Sequence, residues 1–500
     1  MAKAIHLAFR QLNNAKIMET TLQSNIVIAG TSHLTKKPND TPLNVIELMC
    51  EATQRAAEDA GNDNILSVVD QIIVPQGTWN ISNPGELVAQ NLDIYAQAIT
   101  YNIGILQSSL IKRAIEDVSA SRSRCTLIIG GEAKNYERNA SESLNIIPTP
   151  LDIRKKEPAE FIQPSELPIS RYEIEMGLIR APDQYALIEN SYANAHKLTQ
   201  KSHEALINKE WQEMARIADL VPSSWVHDAD KRLRDNGWGR PIATPYKLNH
   251  VTQWNVNQAS AILITTAEIA KTYAKSSDRS IFPDVLIESN AVTPVTERSI
   301  LHYCNGLHQI NSEFFRLTGK KISESQFHEL YSCFPIAVRL QREAYELGRN
   351  PGTITGGMTF AGGPYNNFTL QGLSQLTRQV RETQTTGVIT SISGMLTKQG
   401  LISLSAQQPS SGILLSDISH KTLSSADTVE IQPDLYGNAK VVSSTVSYNS
   451  GIPKVYVLAE NSNTQRRLLI SETDTVIEEF LKSHKVGDTI QINQKGLLSL

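Results

Sequence analysis

The sequence predicts an α/β protein that carries a small all-β domain at its C-terminal end. From Asn25 onward, short β-branched runs such as Ile26–Gly30 alternate with segments of helical periodicity. This order is typical of buried sheet strands joined by helices. After about residue 404, period-two alternation and turn signals replace that pattern, for example over 441–448. Such alternation favours an antiparallel barrel or sandwich.

Composition narrows the class of protein and of ligand. The 500 residues are too many for one ordinary core, so two or three packed units are expected. Lys plus Arg number 47 against 51 Asp plus Glu, a balance that gives no field for capturing nucleic acid or an anionic membrane. No apolar run approaches the roughly 20 residues that cross a bilayer. We therefore expect a soluble, cytoplasmic protein that binds a small ligand, with neither nucleic acid nor membrane as a partner.

The cysteines and histidines suggest no metal. The four cysteines lie far apart without a CxxC pair, and the histidines lack HxxxH spacing. Neither a zinc site nor a disulfide framework is expected.

The elements follow in a regular order before and after one long interruption. Thr41 and Pro42 stand where a helix cap and a first helical residue belong, and Gly61 is placed to end that helix. A second helix follows Gly104 and leads into a buried strand at 126–131. Strand and helix patterns return after an insertion at about 133–250, so the second half repeats the first in outline.

These patterns predict four units. Residues 1–24 are expected to be a disordered extension, with Met18 as an alternative start. The N-terminal half then spans 25–281 and includes the insertion, the second half spans 282–404, and the C-terminal β domain spans 405–500.

Four segments, taken in order, resemble the thiolase superfamily, and more narrowly its type-1 thiolase-like branch, often labelled acetyl-CoA acetyltransferase. They are the unit 104–133 ending in Gly-Gly-Glu-Ala, Leu-Tyr-Ser-Cys-Phe-Pro-Ile-Ala-Val at 330–338, the glycine-rich 355–368, and 387–398. The resemblance implies a five-layered αβαβα fold with an inserted loop domain and an extra C-terminal β domain. That last domain resembles an OB-type barrel in outline. It also implies acyltransferase chemistry on a CoA thioester in lipid metabolism, with no further cofactor.

The resemblance also locates the catalytic positions, and this chain departs from the usual residues there. The nucleophilic Cys, the activating His and the second Cys of thiolases correspond to Ile105, Gly363 and Thr390. Isoleucine cannot attack a thioester, glycine cannot accept a proton, and a threonine hydroxyl titrates far from neutral pH. A shift of register offers only Ser108 or Ser109, which are better explained as capping or packing residues.

Two residues of the Tyr-Ser-Cys-Phe segment remain as catalytic candidates. Tyr331 occupies the position of an oxyanion-holding residue, and its phenol can donate a hydrogen bond; a packed core aromatic is the alternative. Cys333 is either a buried structural thiol or a nucleophile.

The glycine-rich segment supplies the ligand-binding candidates. Gly357 and Gly362 allow the backbone to approach a ligand, while Asn366 and Asn367 can hydrogen-bond a pantetheine or thioester amide. A tight strand-to-helix crossover explains the same residues equally well.

Three hypotheses follow from the sequence. The first is a thiolase-like protein that binds a CoA thioester without cysteine-dependent condensation. The second is an active acyltransferase or retro-aldol lyase that uses non-standard residues with a partner subunit. The third is an assembly subunit without a ligand. A protein partner or a homo-oligomer is compatible with each.

Overall fold

The computed structural model describes residues 18–142, 157–274, 279–449, 451–483, 485–494, 496 and 498–499. The described strands are β1 (Met18–Leu22), β2 (Ile26–Thr35), β3 (Gln71–Pro75), β4 (Gln97–Tyr101), β5 (Cys125–Ala133), β6 (Glu160–Ile162), β7 (Pro241–Ala243), β8 (Tyr246–Lys247), β9 (Asn257–Thr266), β10 (Phe282–Ser289), β11 (Phe327–Glu329), β12 (Thr386–Ser393), β13 (Lys398–Ser405), β14 (Ile413–Asp417), β15 (Glu430–Ile431), β16 (Gly437–Ser447), β17 (Lys454–Glu460), β18 (Gln465–Ser471), β19 (Thr489–Ile492) and β20 (Leu498–Ser499).

The described helices are α1 (Val45–Ala60), α2 (Pro84–Asn91), α3 (Gln107–Ser119), α4 (Lys134–Glu142), α5 (Arg171–Glu175), α6 (Ala181–Ala195), α7 (Gln200–Ala218), α8 (Ala229–Asn236), α9 (Ala267–Ile269), α10 (Asn305–Thr318), α11 (Pro335–Ala344), α12 (Gly357–Phe360), α13 (Phe368–Thr383), α14 (Ser419–Ser424) and α15 (Asp474–Lys482).

Two six-stranded sheets form the body, and their pairing repeats. The first sheet has the order β2-β9-β5-β3-β4-β6 and the second the order β1-β14-β10-β13-β12-β11. In the first, β9 runs antiparallel to both β2 and β5, and β5 is parallel to β3. In the second, β13 runs antiparallel to both β10 and β12, and β12 is parallel to β11. The expected repeat of the two halves is therefore present in the strand topology.

Helices on both faces of each sheet complete five layers. The core between the sheets is made by apolar residues of α3 and α13, which meet strands of both sheets. Helices α1 and α2 cover the outer face of the first sheet, and α10 and α11 cover that of the second. This is the αβαβα arrangement that the resemblance implied. Apolar stripes at helical spacing bury one face of each outer helix against its sheet.

The first helix begins later than the sequence predicted. Its N-cap is Asn44 rather than Thr41, because the Asn44 side chain accepts from the backbone of Glu47 while the Glu47 carboxylate accepts from Asn44 N. This reciprocal capping box satisfies two otherwise unpaired amides. The predicted end at Gly61 is confirmed, since Gly61 has φ 107°.

The insertion and the C-terminal segment share one sheet. Strands β15 to β20 pair in the order β15-β18-β17-β16-β19-β20, and β7 of the insertion joins β16 where Ser447 pairs with Ala243. Helix α15 packs on this sheet through Ile477 and Phe480. The C-terminal region is thus rich in β structure, as predicted, but the insertion contributes to it.

Two predicted boundaries need correction. Strand β14 (Ile413–Asp417) pairs with β10 and β1, so the second sheet extends past the boundary placed at 404/405. The expected disorder of residues 1–24 is wrong for Met18–Leu22, which pairs with β14 as an edge strand. Residues 1–17 lie outside the described residues. No described helix is long and apolar enough to cross a membrane.

Candidate active site

A large cavity lies where the two halves and the insertion meet. Its volume is about 1180 Å³. The two halves contribute the turn at Gly104–Ile105, the turn after β12 at 393–395 and the segment around Tyr331. The insertion and the segment just after it contribute walls from 168–185 and 226–254. The site therefore depends on chain segments that are up to about 300 residues apart.

Ile105 lines this cavity beside the N-terminus of helix α3. The helix begins at Gln107, and its N-cap Leu106 makes no side-chain cap. The partial positive charge of a helix N-terminus stabilises an anion there. The position thus suits a thiolate, but the side chain in place is a hydrocarbon without a lone pair.

Gly363 is packed too closely to hold a base. A Cβ built on Gly363 would lie 2.3 Å from Thr252 Cγ2 and 3.1 Å from Met358 Cβ. The Gly363 amide donates to the Gln253 carbonyl at 2.9 Å. A histidine side chain at position 363 would therefore require Thr252 to move.

Thr390 is hydrogen-bonded to the backbone of Tyr331. It is buried, and its hydroxyl donates to Gln341 Oε1 at 2.6 Å while accepting from Tyr331 N at 2.8 Å. Gln341 Nε2 in turn donates to the Tyr331 carbonyl at 2.9 Å. Thr390 and Gln341 together fix both main-chain groups of Tyr331.

Tyr331 and Cys333 both line the cavity. Tyr331 packs edge-on to Phe368 with ring centroids 6.0 Å apart, and burial raises the pKa of its phenol. Burial also raises the pKa of the Cys333 thiol to about 12. Both groups are therefore neutral near pH 7, so Tyr331 can donate a hydrogen bond, whereas Cys333 is a poor nucleophile.

The predicted ligand-binding residues are only partly at the cavity. The described lining includes Asn366 but not Gly357, Gly362 or Asn367. The Asn367 amide donates to Ser260 Oγ at 3.3 Å, and a Cβ on Gly362 would lie 2.2 Å from Gln258 Oε1. A Cβ on Gly357 would lie 2.9 Å from Met214 Sδ. These three positions serve close packing in the structure.

The alternative serines face a buried carboxylate. Ser108 and Ser109 both donate to Glu288 Oε1, at 2.5 and 2.8 Å, and Ser391 donates to Ser108. Neither Ser108 nor Ser109 belongs to the described cavity lining. Burial raises the pKa of Glu288, while the two serine hydrogen bonds lower it. This cluster ties α3 to β10 across the two halves.

Sequence reasoning missed the wall that the insertion supplies. Tyr185 of α6 lines the cavity and stacks on Phe334 at 4.3 Å, and Trp254 lines it from the segment before β9. The insertion has no regular strand and helix alternation, so pattern analysis gave no signal for these side chains. Tyr365, next to the predicted Asn366, also lines the cavity.

The rim of the cavity is both cationic and apolar. Lys134, Arg180, Arg232 and Arg240 line it. Large apolar side chains are also exposed there. They are Ile103 (42%), Ile179 (54%), Leu248 (46%), Trp254 (48%) and Tyr365 (43%). Apolar side chains grouped at a concave site favour a ligand with an apolar part, and the cations favour an anionic part.

Solved structures show which fold this is. No protein-family model and no curated protein matches the sequence. The chain is similar to a monomeric SCP2-thiolase like protein type 1 from Mycobacterium smegmatis, with 20% identity and a TM-score of 0.79 over 96% of this chain and 99% of that one.

Two further similarities cover less of this chain. One is to the Ltp2-ChsH2(DUF35) aldolase, with 17% identity and a TM-score of 0.56 over 77% of this chain and 99% of that one. The other is to an acetyl-CoA acetyltransferase from Syntrophomonas wolfei, with 12% identity and a TM-score of 0.52 over 78% of this chain and 100% of that one. The chain thus has a thiolase-like fold with an additional domain.

Proposed function

We propose that this chain binds a CoA thioester in the cavity and does not carry out cysteine-dependent thiolase condensation. The observation that carries the proposal is Ile105, a hydrocarbon side chain that lines the cavity at the helix N-terminus. The surroundings support it. Thr390 is engaged with Tyr331 and Gln341, and Thr252 occupies the space beside Gly363.

The cavity rim supports the choice of ligand. Arg232 and Arg240 are exposed and line the cavity, so they are available to phosphate groups. CoA carries several phosphate charges, which guanidinium groups bind well. The exposed Trp254 and Leu248 provide apolar area for the pantetheine and acyl parts.

Calorimetry with CoA, acetyl-CoA and a longer acyl-CoA tests the binding. We expect R232M/R240M to weaken CoA binding at least tenfold. The matched control is K231M, an exposed cation beside Arg232 that is not part of the described lining, and it should change binding less than twofold. No binding up to millimolar CoA would reject the proposal in favour of an assembly subunit.

The chemical part is tested with acetoacetyl-CoA and CoA. We expect no thiolysis above background. Turnover well above background that survives both C333A and S109A would contradict the reasoning from Ile105.

A second candidate is a carbon-carbon lyase that acts with a protein partner. The tyrosine-lined wall favours it, because Tyr185, Tyr331 and Tyr365 line one cavity and can donate protons or hydrogen bonds to a ligand. The aldolase complex with a DUF35 protein has a similar fold. Cleavage of a β-hydroxyacyl-CoA that is lost in Y331F would favour this candidate over binding alone.

A further inference from the structure

A buried carboxylate lies behind one wall of the cavity. Glu132, near the end of β5, is 1% exposed. Its Oε1 accepts from Thr78 N at 2.7 Å, and its Oε2 accepts from the Thr78 hydroxyl at 2.7 Å. Thr78 itself lines the cavity. One hydroxyl therefore connects the cavity wall to the carboxylate.

Among the described residues, no cation forms an ion pair with Glu132. Lys134 lies nearby but pairs with Glu137 at 3.2 Å, and the cross-strand neighbour of Glu132 is the uncharged Gln258. Burial is the largest influence and raises the pKa of Glu132 to about 7. The Thr78 bonds and Lys134 lower it, and Glu137 raises it. The carboxyl group therefore changes charge near neutral pH.

One tyrosine of the cavity is electrostatically coupled to this group. The charge of Glu132 contributes to the raised pKa of Tyr365, after burial, and Tyr365 in turn contributes to that of Tyr331. Both tyrosines line the cavity. A proton acceptor and neutral phenol donors thus occur together around one ligand space.

The loop before Trp79 encloses the carboxylate tightly. A Cβ on Gly77 would lie 2.7 Å from Glu132 Oε1 and 2.3 Å from Trp79 Nε1. Trp79 Nε1 donates to the Gly131 carbonyl at 3.0 Å. Only glycine fits at position 77. The close packing of this loop shields the Glu132 carboxylate from bulk water on that side.

Glu329 is a second buried carboxylate, and within the described part of the chain it is hydrogen-bonded only to groups away from the cavity. It is fully buried, its pKa is also raised to about 7 by burial, and it accepts from Ile354 N and from both groups of Thr355. None of these partners belongs to the described cavity lining. The contact with a cavity-lining hydroxyl distinguishes Glu132.

We propose that Thr78 and Glu132 form a proton relay that removes a proton from the carbon next to the carbonyl of a bound thioester. This inference rests on the proposed function. The C–H bond breaks, its proton passes to Thr78 Oγ1, and the hydroxyl proton of Thr78 passes to Glu132 Oε2. The electron pair becomes an enolate on the thioester oxygen, which the Tyr331 phenol stabilises. Return of the proton restores the C–H bond, so the net reaction is hydrogen exchange and needs no oxidant or reductant.

Deuterium exchange into the methyl group of acetyl-CoA tests the relay. The full chain is incubated with acetyl-CoA in D₂O, and loss of the methyl proton signal is followed by NMR across pH 5 to 9. We expect exchange at least tenfold above buffer, rising to a plateau through about pH 7 as Glu132 ionises. Acid-base groups typically contribute about 10²- to 10⁴-fold, so the effect is measurable.

Three variants make the result specific. E132Q keeps an acceptor for Thr78 N and should lose at least tenfold in exchange together with the rise near pH 7. T78V should lose exchange similarly, whereas T78S, which retains the hydroxyl, should keep most of it. Exchange is compared at acetyl-CoA concentrations that saturate each variant, as determined by calorimetry, so that a change in binding is not mistaken for loss of the relay. T78V still decides the question if E132Q fails to fold.

The outcomes separate the relay from the proposed function. Exchange in E132Q at the wild-type rate and with the wild-type pH profile would overturn the relay. Binding of acetyl-CoA without any exchange by the wild type would also overturn it while leaving the proposed function intact. Absence of binding would reject the proposed function itself.

Discussion

Replacing Arg339 with methionine should destabilise the contact between the insertion and the second half. Arg339 of α11 is buried and donates to Glu189 of α6 and, at 2.6 Å, to Glu210 of α7. Glu189 is fully buried and also bonds to His203 Nε2 and to the Tyr246 hydroxyl, each at 2.8 Å. Methionine leaves the Glu189 carboxylate without its main cation.

The structure sets the size of this effect. Burial alone would raise the pKa of Glu189, yet Arg339 and His203 lower it from 4.5 to about 2. That difference corresponds to about 3 kcal/mol in favour of the ionised carboxylate at neutral pH. Removing one partner of a buried ion pair typically costs about 3–5 kcal/mol. We therefore expect R339M to lose about 3–5 kcal/mol of the free energy of unfolding.

Urea unfolding measures the change, with tryptophan emission as the signal. Trp211 of α7 is 1% exposed and its Nε1 donates to Thr359 Oγ1, so it reports on this contact. E189Q/R339M should be more stable than R339M, because the fully buried position 189 then carries no charge that lacks its cation, while Glu210 keeps Arg342 at 3.6 Å. K321M, which removes an exposed ion pair with Glu346, is the control and should leave the transition unchanged.

The sign of the pH dependence follows from the same carboxyl group. The stabilisation is present above about pH 4.5 and is lost as the pH falls toward 2. The difference between wild type and R339M should shrink over that interval. An R339M transition no lower than that of K321M at pH 7 would refute the reasoning.

Three further predictions concern other parts of the structure. G363H should cost about 1–3 kcal/mol of stability through overpacking, because its Cβ meets Thr252 Cγ2, and should therefore lower the melting temperature. G363H/T252G should recover part of the loss. Equal melting temperatures for G363H and wild type would contradict this prediction. Burial raises the pKa of Glu329 from 4.5 to about 7, so the stability that Glu329 contributes is fully present below pH 4.5 and is lost as the pH rises through 7. E329Q should flatten that decline of the unfolding free energy in a pH series of unfolding curves. An unchanged slope would contradict this prediction. R466M removes bonds to Glu460 and to the Ser299 carbonyl, so limited proteolysis should release the C-terminal domain at least tenfold faster; an unchanged rate would show that Arg466 does not hold the domain.

Much of the architecture was predictable because burial leaves periodic patterns in the sequence. The alternation after Asn25 and the glycine that ends α1 both follow from backbone and burial constraints. The start of α1 was misplaced, since Thr41 and Asn44 are both good caps and only the reciprocal contact with Glu47 decides between them. Strand β1 was missed because it is an exposed edge strand without an apolar face.

The candidate site was less predictable because its side chains come from distant segments. The placement of Ile105 and Tyr331 at the cavity agrees with the resemblance. The engagement of Thr390 with Tyr331 and Gln341 depends on packing across 49 to 59 positions of sequence, which local patterns do not encode. Tyr185 and Arg232 lie in the insertion and Trp254 lies just after it, and local periodicity does not show that these side chains face the cavity.

The strand pairing between the insertion and the C-terminal sheet sets the order in which the chain can complete itself during synthesis. Ala243 pairs with Ser447, Asn190 donates to the Ser444 carbonyl, and Arg180 of the cavity wall donates to Ser447 Oγ at 3.0 Å. These contacts join positions more than 200 residues apart, and such distant contacts form slowly. The wall around Arg180 therefore stays unfinished on the ribosome until residue 447 has emerged.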